Sequence, residues 1–197
     1  SGNDLFALDR KLSVSIVTAS PVSGLLHVGI NIDPSGAPVP DSKLTDWPRL
    51  MDVLRGTAGV KVVILNHPRN KHSDFIPFAP EHYDARTGEN RRGAPFTFDA
   101  MELVNSSALR TDDRLVFRDW LALLNAGTRV AGVGSSDCHE VNRYIVGQGR
   151  TYVEVPDADP SRIDGAAACA SIRQGRSPVS LGLLTRLRGE GRGSGTR

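Results

Sequence analysis

The sequence predicts an α/β domain built on a mainly parallel sheet, and three observations indicate it. Strand-like and helix-like segments alternate along the chain, which is typical of strand–helix–strand units with right-handed crossovers. The run at 61–65, Lys-Val-Val-Ile-Leu, is apolar at successive positions, as expected of a strand buried on both faces of a parallel sheet. Polar clusters directly follow three predicted strands, at the end where such sheets place their sites.

The first 60 residues predict two strands and one helix. Short apolar runs at 14–18 and 25–32 indicate two strands joined by a turn. A helix is predicted from about Pro48 to Arg55, with Thr45 or Asp46 as its cap. This region therefore fits the opening of the same α/β pattern.

The remainder of the chain predicts further strands and two helices around a long connection. The predicted strands are 61–65, 98–104, 129–133 and 151–155, and the predicted helices are 112/113–125 and 160/161–172. The predicted buried face of the first of these helices is Leu115, Val116, Trp120, Leu123 and Leu124. Residues 70–97 are predicted to be a long irregular stretch, which is uncommon unless it lines a site.

Composition and charge narrow the class of protein. The chain of 197 residues is 39% hydrophobic and 23% charged, as is usual for a globular domain. It has no run of about 18 apolar residues, so no membrane partner is predicted. The first residues lack the features of a signal peptide and the two cysteines form no disulfide scaffold, so the expected location is the cytoplasm.

The net charge of +2 is unevenly distributed. From Arg186 to Arg197 the chain carries four arginines and one glutamate, so this segment contributes +3 and the body is slightly acidic. A body without excess positive charge argues against a nucleic-acid-binding domain. The Arg/Gly-rich tail has too few apolar residues to fold and is predicted to be disordered.

The polar residues that follow the buried strands are the first site candidates. Asp137 and His139 come after strand 129–133, and a carboxylate with an imidazole suits Zn, Mn or Fe. His67 follows strand 61–65, and Pro68 favours an extended conformation at His67. From spacing alone, a helix-capping Asp137, a surface His139 and a hydrogen-bonded strand-end His67 remain open as alternatives.

Three charged residues are candidates for catalytic roles. Arg69 is positioned to contact an anionic group, with a surface salt bridge as the alternative. Glu102 lies inside predicted strand 98–104, where a buried charge requires a partner or a metal, unless the position is outward-facing or at an edge. Arg150 ends a Gly147-Gln148-Gly149-Arg150 segment that only weakly resembles a phosphate-binding loop.

Four segments occur in a distinctive order along the chain. They are Asn66-His67-Pro68-Arg69, Phe98 to Asn105, Gly134 to His139, and Val146 to Val153. This order resembles the PHP (polymerase and histidinol phosphatase) superfamily and looks most similar to its CehA/McbA, or carbaryl-hydrolase-like, metallohydrolase branch. The resemblance covers roughly residues 13–185. It implies a partial PHP-like metallohydrolase domain over 1–185, folded as a distorted (β/α)7 barrel lacking its first strands, with 186–197 as the tail.

The resemblance also implies an activity. Members of this family hydrolyse phosphoester or related ester bonds of small molecules through a metal-bound hydroxide, with up to three divalent ions (Zn, Mn or Fe) at the strand ends. The implied site residues are His67, Asp137 and His139 as metal ligands, Glu102 and Asn105 as supports of the site, and Arg69 and Arg150 as groups that neutralise developing charge.

Two departures from the family pattern lead to competing interpretations. The chain has no His-x-His strand, and Ile16 stands where the family has a metal-bridging glutamate. In one interpretation the chain is a metallohydrolase domain that lacks its upstream strands and binds fewer ions. In the other it is a degenerate PHP-like binding or structural module of a larger protein, without activity.

Overall fold

The structure is a computed structural model, and most of the residues it describes follow position 46. It describes residues 6–7, 10–11, 14–16, 28–30, 47–69, 76–91, 96–107, 112–137, 145, 147–156 and 164–184. The helices are α1 (Trp47–Gly56), α2 (Asp113–Asn125) and α3 (Gly165–Arg173). The first strands are β1 (Phe6–Ala7), β2 (Arg10–Lys11), β3 (Val14–Ile16) and β4 (Val28–Ile30). The later strands are β5 (Ile64–Leu65), β6 (Tyr83–Asp84), β7 (Glu89–Asn90), β8 (Ala100–Asn105), β9 (Ala131–Ser135), β10 (Arg150–Thr151) and β11 (Val179–Ser180). Within these ranges, no helix is long and apolar enough to cross a membrane.

A three-stranded parallel sheet in the order β5-β8-β9 organises the molecule. Ile64 pairs with Ala100, and Ala100 pairs with Ala131. Helix α2 connects β8 to β9, so these elements form the predicted type of strand–helix–strand unit. The central strand carries Glu102, which is only 4% exposed, so its position is neither outward-facing nor at an edge. The larger (β/α)7 barrel stays a prediction.

The two faces of this sheet pack against different partners. One face contributes Leu65, Met101 and Leu103 to a core that also includes buried side chains of α1, α2 and the connection before β8. The other face presents the smaller residues Ala100, Ala131 and Val133, with Ile172 of α3 packed against them. Because side chains alternate along a strand, the sheet is covered on both faces, as an apolar parallel sheet requires.

The connection between β5 and β8 differs from the prediction of an irregular stretch. Its described parts contain the antiparallel hairpin β6–β7 and a cluster of aromatic rings formed by Phe78, Tyr83 and Phe96. Phe78 and Tyr83 are buried in the main core. The prediction is wrong for these parts, because their aromatic side chains bury enough apolar surface to order the chain around them.

Helix α2 is the element that the sequence predicts most closely. Asp112 caps its first turn by accepting a hydrogen bond from the Arg114 backbone amide at 3.0 Å. The chain leaves the helix through Gly127, whose φ of 84° is in the left-handed region. Leu123 is fully buried as predicted, whereas Leu124 is 38% exposed, so its assignment to the buried face is wrong.

The outer strands form short antiparallel pairs. β1 pairs with β2, β3 with β4, and β10 with β11. Thr151 joins the last pair to β9, since its hydroxyl accepts from the Gly134 amide and donates to the Gly134 carbonyl. Ile16, at the position of the family's bridging glutamate, is paired with Val28 in β4.

Candidate functional site

The carboxyl ends of the three parallel strands bring several predicted site residues together. His67 lies just beyond β5, Asn105 is the last residue of β8, and Asp137 lies just beyond β9. Because parallel strands end at the same edge of a sheet, these three side chains and Glu102 converge there. Contacts among all four residues link them into one cluster.

Glu102 is the centre of this cluster. Its Oε2 accepts a hydrogen bond from the His67 backbone amide at 2.6 Å and another from Asn105 Nδ2 at 3.2 Å. Its Oε1 accepts from the Ser135 hydroxyl on β9. Uncharged donors from three segments therefore satisfy the hydrogen-bonding capacity of this buried carboxyl group. This geometry gives Glu102 a positioning role, and its direct part in catalysis stays a prediction.

His67 and Asp137 face each other across the edge. His67 Nε2 lies 3.7 Å from Asp137 Oδ2, and Asn105 Nδ2 donates to the same carboxylate oxygen at 3.1 Å. Both side chains are partly accessible to solvent. The imidazole and the carboxylate are therefore held together at a surface that a ligand can reach.

Both residues also adopt unusual backbone conformations. The φ of His67 is 30° and that of Asp137 is 47°, in the left-handed region that residues other than glycine seldom occupy. The expectation that Pro68 keeps His67 extended is therefore wrong, because the Glu102 carboxylate holds the His67 amide in a turn. Conformations of this kind cost about 1–3 kcal/mol and cluster at functional sites.

The His67–Asp137 pair fits two ligands of one metal ion. Two ligand atoms at zinc distances in a tetrahedral arrangement lie about 3.4 Å apart, close to the spacing seen here. Asn105 orients the carboxylate in the way that neighbouring groups orient metal ligands. The donor types suit Zn, Mn or Fe.

A complete ligand set is not present in the described part of the chain. Among those residues, no group of three or more His, Cys, Asp or Glu side chains is positioned to hold a metal ion. The third predicted ligand, His139, lies outside the described residues, as does Cys138. The two described ligands thus fit a metal, and the predicted three-residue set stays a prediction.

Arg69 makes a buried ion pair instead of pointing into the cluster. Its Nη2 donates to Asp119 Oδ1 at 2.9 Å and to the Phe78 carbonyl at 2.9 Å, while its Nε donates to Asp119 Oδ2. Asp119, on α2, is 0% exposed. This bidentate pair ties the turn that carries His67 to the helix behind the sheet. The predicted contact of Arg69 with substrate stays a prediction.

The surroundings of Asp119 shift two pKa values. Burial raises the pKa of the Asp119 carboxyl above its ordinary value, and Arg69 opposes this shift. Burial, together with the nearby Asp119 charge, raises the pKa of Tyr83 well above its usual range. The Tyr83 hydroxyl donates to the Asp119 backbone carbonyl at 3.1 Å, so this tyrosine is a neutral donor inside the core.

Arg150 lies beside the same sheet edge. The preceding Gly149 packs on Ser135, where a Cβ would lie 2.2 Å from the Ser135 carbonyl oxygen, so a side chain is excluded. The Gly149 amide donates to the Ser106 hydroxyl at 3.0 Å. The Arg150 Nε is buried without a hydrogen-bond partner among the described residues. The predicted role of Arg150 in neutralising charge stays a prediction.

Two residues of this region were not among the predicted site residues. Ser135 holds Glu102 from β9, and Asp119 holds Arg69 from α2. A signal for each exists in the sequence. Ser135 follows Val133 by two positions and so shares its face of the strand, and Asp119 is an isolated acid between the apolar residues of a buried helix face.

Comparison with known proteins adds one finding for the N-terminal part. Residues 1–57 match a family model described as "Domain of unknown function (DUF366)". The match ends with α1, before β5 and all of the cluster residues. No curated protein and no solved structure matches the chain.

Proposed function

We propose that this chain carries part of the site of a metal-dependent hydrolase that cleaves phosphoester or related ester bonds of small molecules. The observation that supports it most is the His67–Asp137 pair at the carboxyl edge of a parallel sheet, with 3.7 Å between Nε2 and Oδ2. Both residues adopt left-handed conformations, and they are held by Glu102 and Asn105. The ordered motifs that resemble the CehA/McbA branch agree with this arrangement.

In this proposal each residue of the cluster has a separate task. His67 and Asp137 would hold a divalent cation, which when bound would supply Lewis-acid polarisation of the ester and a water of lowered pKa. Asn105 orients the Asp137 carboxylate, and Glu102 fixes the turn from which the His67 ring projects. Arg150 neutralises charge on the phosphoryl or carbonyl oxygens of the substrate.

A second candidate function is a PHP-like binding or structural module without activity. Two observations favour it. The described part of the chain supplies two metal-type donors rather than three, and Ile16, paired with Val28, stands where the family has a bridging carboxylate. An apolar side chain there removes the negative charge that stabilises two adjacent cations.

Elemental analysis of the purified full chain tests the first proposal. After growth with added Zn, Mn and Fe, we expect about one equivalent of bound metal in total, and Asp137→Ala should remove most of it. Asp52→Ala is the matched control, since Asp52 is an exposed acid on α1 and is not one of the cluster residues. Occupancy below about 0.2 equivalents in the unmodified chain would refute the metalloenzyme proposal for this chain.

Hydrolysis of a chromogenic phosphoester separates the two candidates. The enzyme proposal predicts turnover that is lost in Asp137→Ala and retained in Asp52→Ala. Bound metal without turnover of phosphoester or carboxylester probes supports the inactive module. Metal occupancy that is unchanged in Asp137→Ala would show that the assignment of this ligand is wrong.

A further inference from the structure

A groove lies on the side of α2 that faces away from the sheet. It is an open groove bounded by α2 and the turn that joins β6 to β7, and its volume is about 490 Å³. The turn is packed tightly there, since a Cβ on Gly88 would lie 2.4 Å from the Ala126 Cβ. The groove is therefore formed by two elements that pack against each other. None of its lining residues belongs to the cluster at the sheet edge.

The floor of the groove is apolar although it is exposed. Phe117 and Leu121 line it, and their exposed fractions are 38% and 51%. They are four residues apart and so lie on one stripe of α2, which Leu124 continues. Because the opposite stripe of α2 is buried in the core, this helix is apolar on both sides, which is typical of a helix that is covered on both sides.

Three arginines line the same groove. Arg86 comes from the turn, and Arg114 and Arg118 come from α2. Among the described residues that line the groove, none carries an acidic side chain. Arg114 and Arg118 are four residues apart, where like charges on a helix repel each other.

Two acids that approach these arginines are engaged more strongly by others, while Asp112 and Asp113, which precede Arg114, are not among the residues that line the groove. Asp84 lies 3.7 Å from Arg86 but 3.1 Å from Arg91, and it also accepts from the Arg86 backbone amide. Asp119 is held by the bidentate contact with Arg69. It therefore balances little of the positive charge of Arg118, whose Nη2 lies 4.0 Å from Asp119 Oδ1. The rim of the groove therefore keeps a positive character.

We infer that this groove is the docking site for an acidic amphipathic helix of a partner protein. The leucine side chains of such a helix pack on Phe117 and Leu121. Its carboxylates, on either side of the leucines, pair with Arg86 and the two α2 arginines. A second copy of this chain is the poorer occupant, because a symmetric contact through this surface would bring the two arginine rims together. Charge complementarity thus selects the partner.

A titration with designed peptides tests the inference. The probe is a synthetic, fluorescently labelled peptide with Leu at helical spacing flanked by Glu, and its control has Lys at every Glu position. Binding to the full chain is followed by fluorescence anisotropy, and the bound surface is mapped by backbone amide chemical shifts. We expect the Glu peptide to bind at least roughly tenfold more tightly than the Lys peptide, with shifts concentrated at Phe117 and Leu121.

Two single charge reversals give a matched comparison. Arg114→Glu should weaken binding of the Glu peptide by about tenfold or more. The same change should leave folding intact, because an acid in the first turn of α2 stabilises the helix. Lys61→Glu makes the same change at an exposed position outside the groove and should leave the affinity within about twofold.

Three results would overturn the inference. They are equal affinity for the Glu and Lys peptides, a weakening by Lys61→Glu as large as that by Arg114→Glu, and shifts located away from α2. Concentration-dependent dimerisation that Leu121→Ser abolishes would assign the groove to a second copy instead. Absence of binding by the Glu peptide at millimolar concentration would also contradict the assignment.

Discussion

Glu102 and Asp119 are both buried carboxylates, and they lie on successive elements of one strand–helix–strand unit. Glu102, on β8, is satisfied by a backbone amide, a side-chain amide and a hydroxyl. Asp119, on α2, is satisfied by the guanidinium of Arg69. The donors to Glu102 are therefore uncharged, whereas the partner of Asp119 is a cation within the core.

The two sets of contacts connect different parts of the unit. The donors to Glu102 link the His67 turn, Asn105 and β9 at the sheet edge. The Asp119–Arg69 pair adds little net charge and instead connects the His67 turn to α2. Both acids therefore support the turn at His67. Glu102 accepts from the His67 backbone amide, and Asp119 binds Arg69, two residues further along the chain.

The largest expected effect comes from breaking the ion pair. Asp119→Ala leaves the Arg69 guanidinium without its carboxylate in a water-poor environment, and should lower the free energy of unfolding by about 3–5 kcal/mol. Urea denaturation followed by Trp fluorescence measures it. The double variant Arg69→Met/Asp119→Leu should recover most of the loss, since an apolar pair needs no charge compensation. A loss below about 1 kcal/mol for Asp119→Ala would contradict the structural role of the pair.

An intermediate effect is expected at Glu102. Glu102→Ala removes the acceptor for the His67 amide, Asn105 and Ser135, and should cost about 1–3 kcal/mol in the same denaturation experiment. Glu102→Gln retains one acceptor oxygen and should cost less. Glu81→Ala, at an exposed acid of the connection before β8, is the control and should change stability by less than about 0.5 kcal/mol. Equal losses for Glu102→Gln and Glu102→Ala would argue against the hydrogen-bonding role.

The smallest effect concerns Tyr83 and is visible only at high pH. Its pKa is raised in the folded protein above the 10.0 expected when unfolded, so above pH 10 the unfolded chain releases this proton first. The Tyr83 contribution to stability therefore falls as the pH rises through 10. Tyr83→Phe removes the hydrogen bond to the Asp119 carbonyl and should lower the free energy of unfolding by about 1 kcal/mol at neutral pH. Stability curves of the two proteins should converge above pH 10, and parallel curves would contradict the shift.

Elements defined by local signals were predicted well from the sequence. The cap at Asp112 and the stop at Gly127 mark the ends of α2 through contacts within a few residues. The meeting of His67, Asn105 and Asp137 also followed from the sequence, because strand direction in a parallel sheet determines where their ends lie. These features depend on short-range chemistry or on topology alone.

Features that depend on distant partners were not predicted. The pairing of Arg69 with Asp119 joins positions 50 apart in sequence, and nothing near Arg69 indicates it. The left-handed turn at His67 arises from Glu102, 35 positions away, and it overrides the local preference that Pro68 imposes. The aromatic order around Phe78 and Tyr83 likewise appears only when those rings pack against the sheet and α2.

The left-handed backbone at His67 and Asp137 has a consequence for protein engineering. Glycine avoids the steric cost of about 1–2 kcal/mol that each of these φ values imposes, and asparagine reduces it. A selection for heat resistance alone would therefore favour glycine or asparagine at both positions and would eliminate the imidazole and the carboxylate. In laboratory evolution toward thermostability, His67 and Asp137 should therefore be the first residues of the cluster to be replaced.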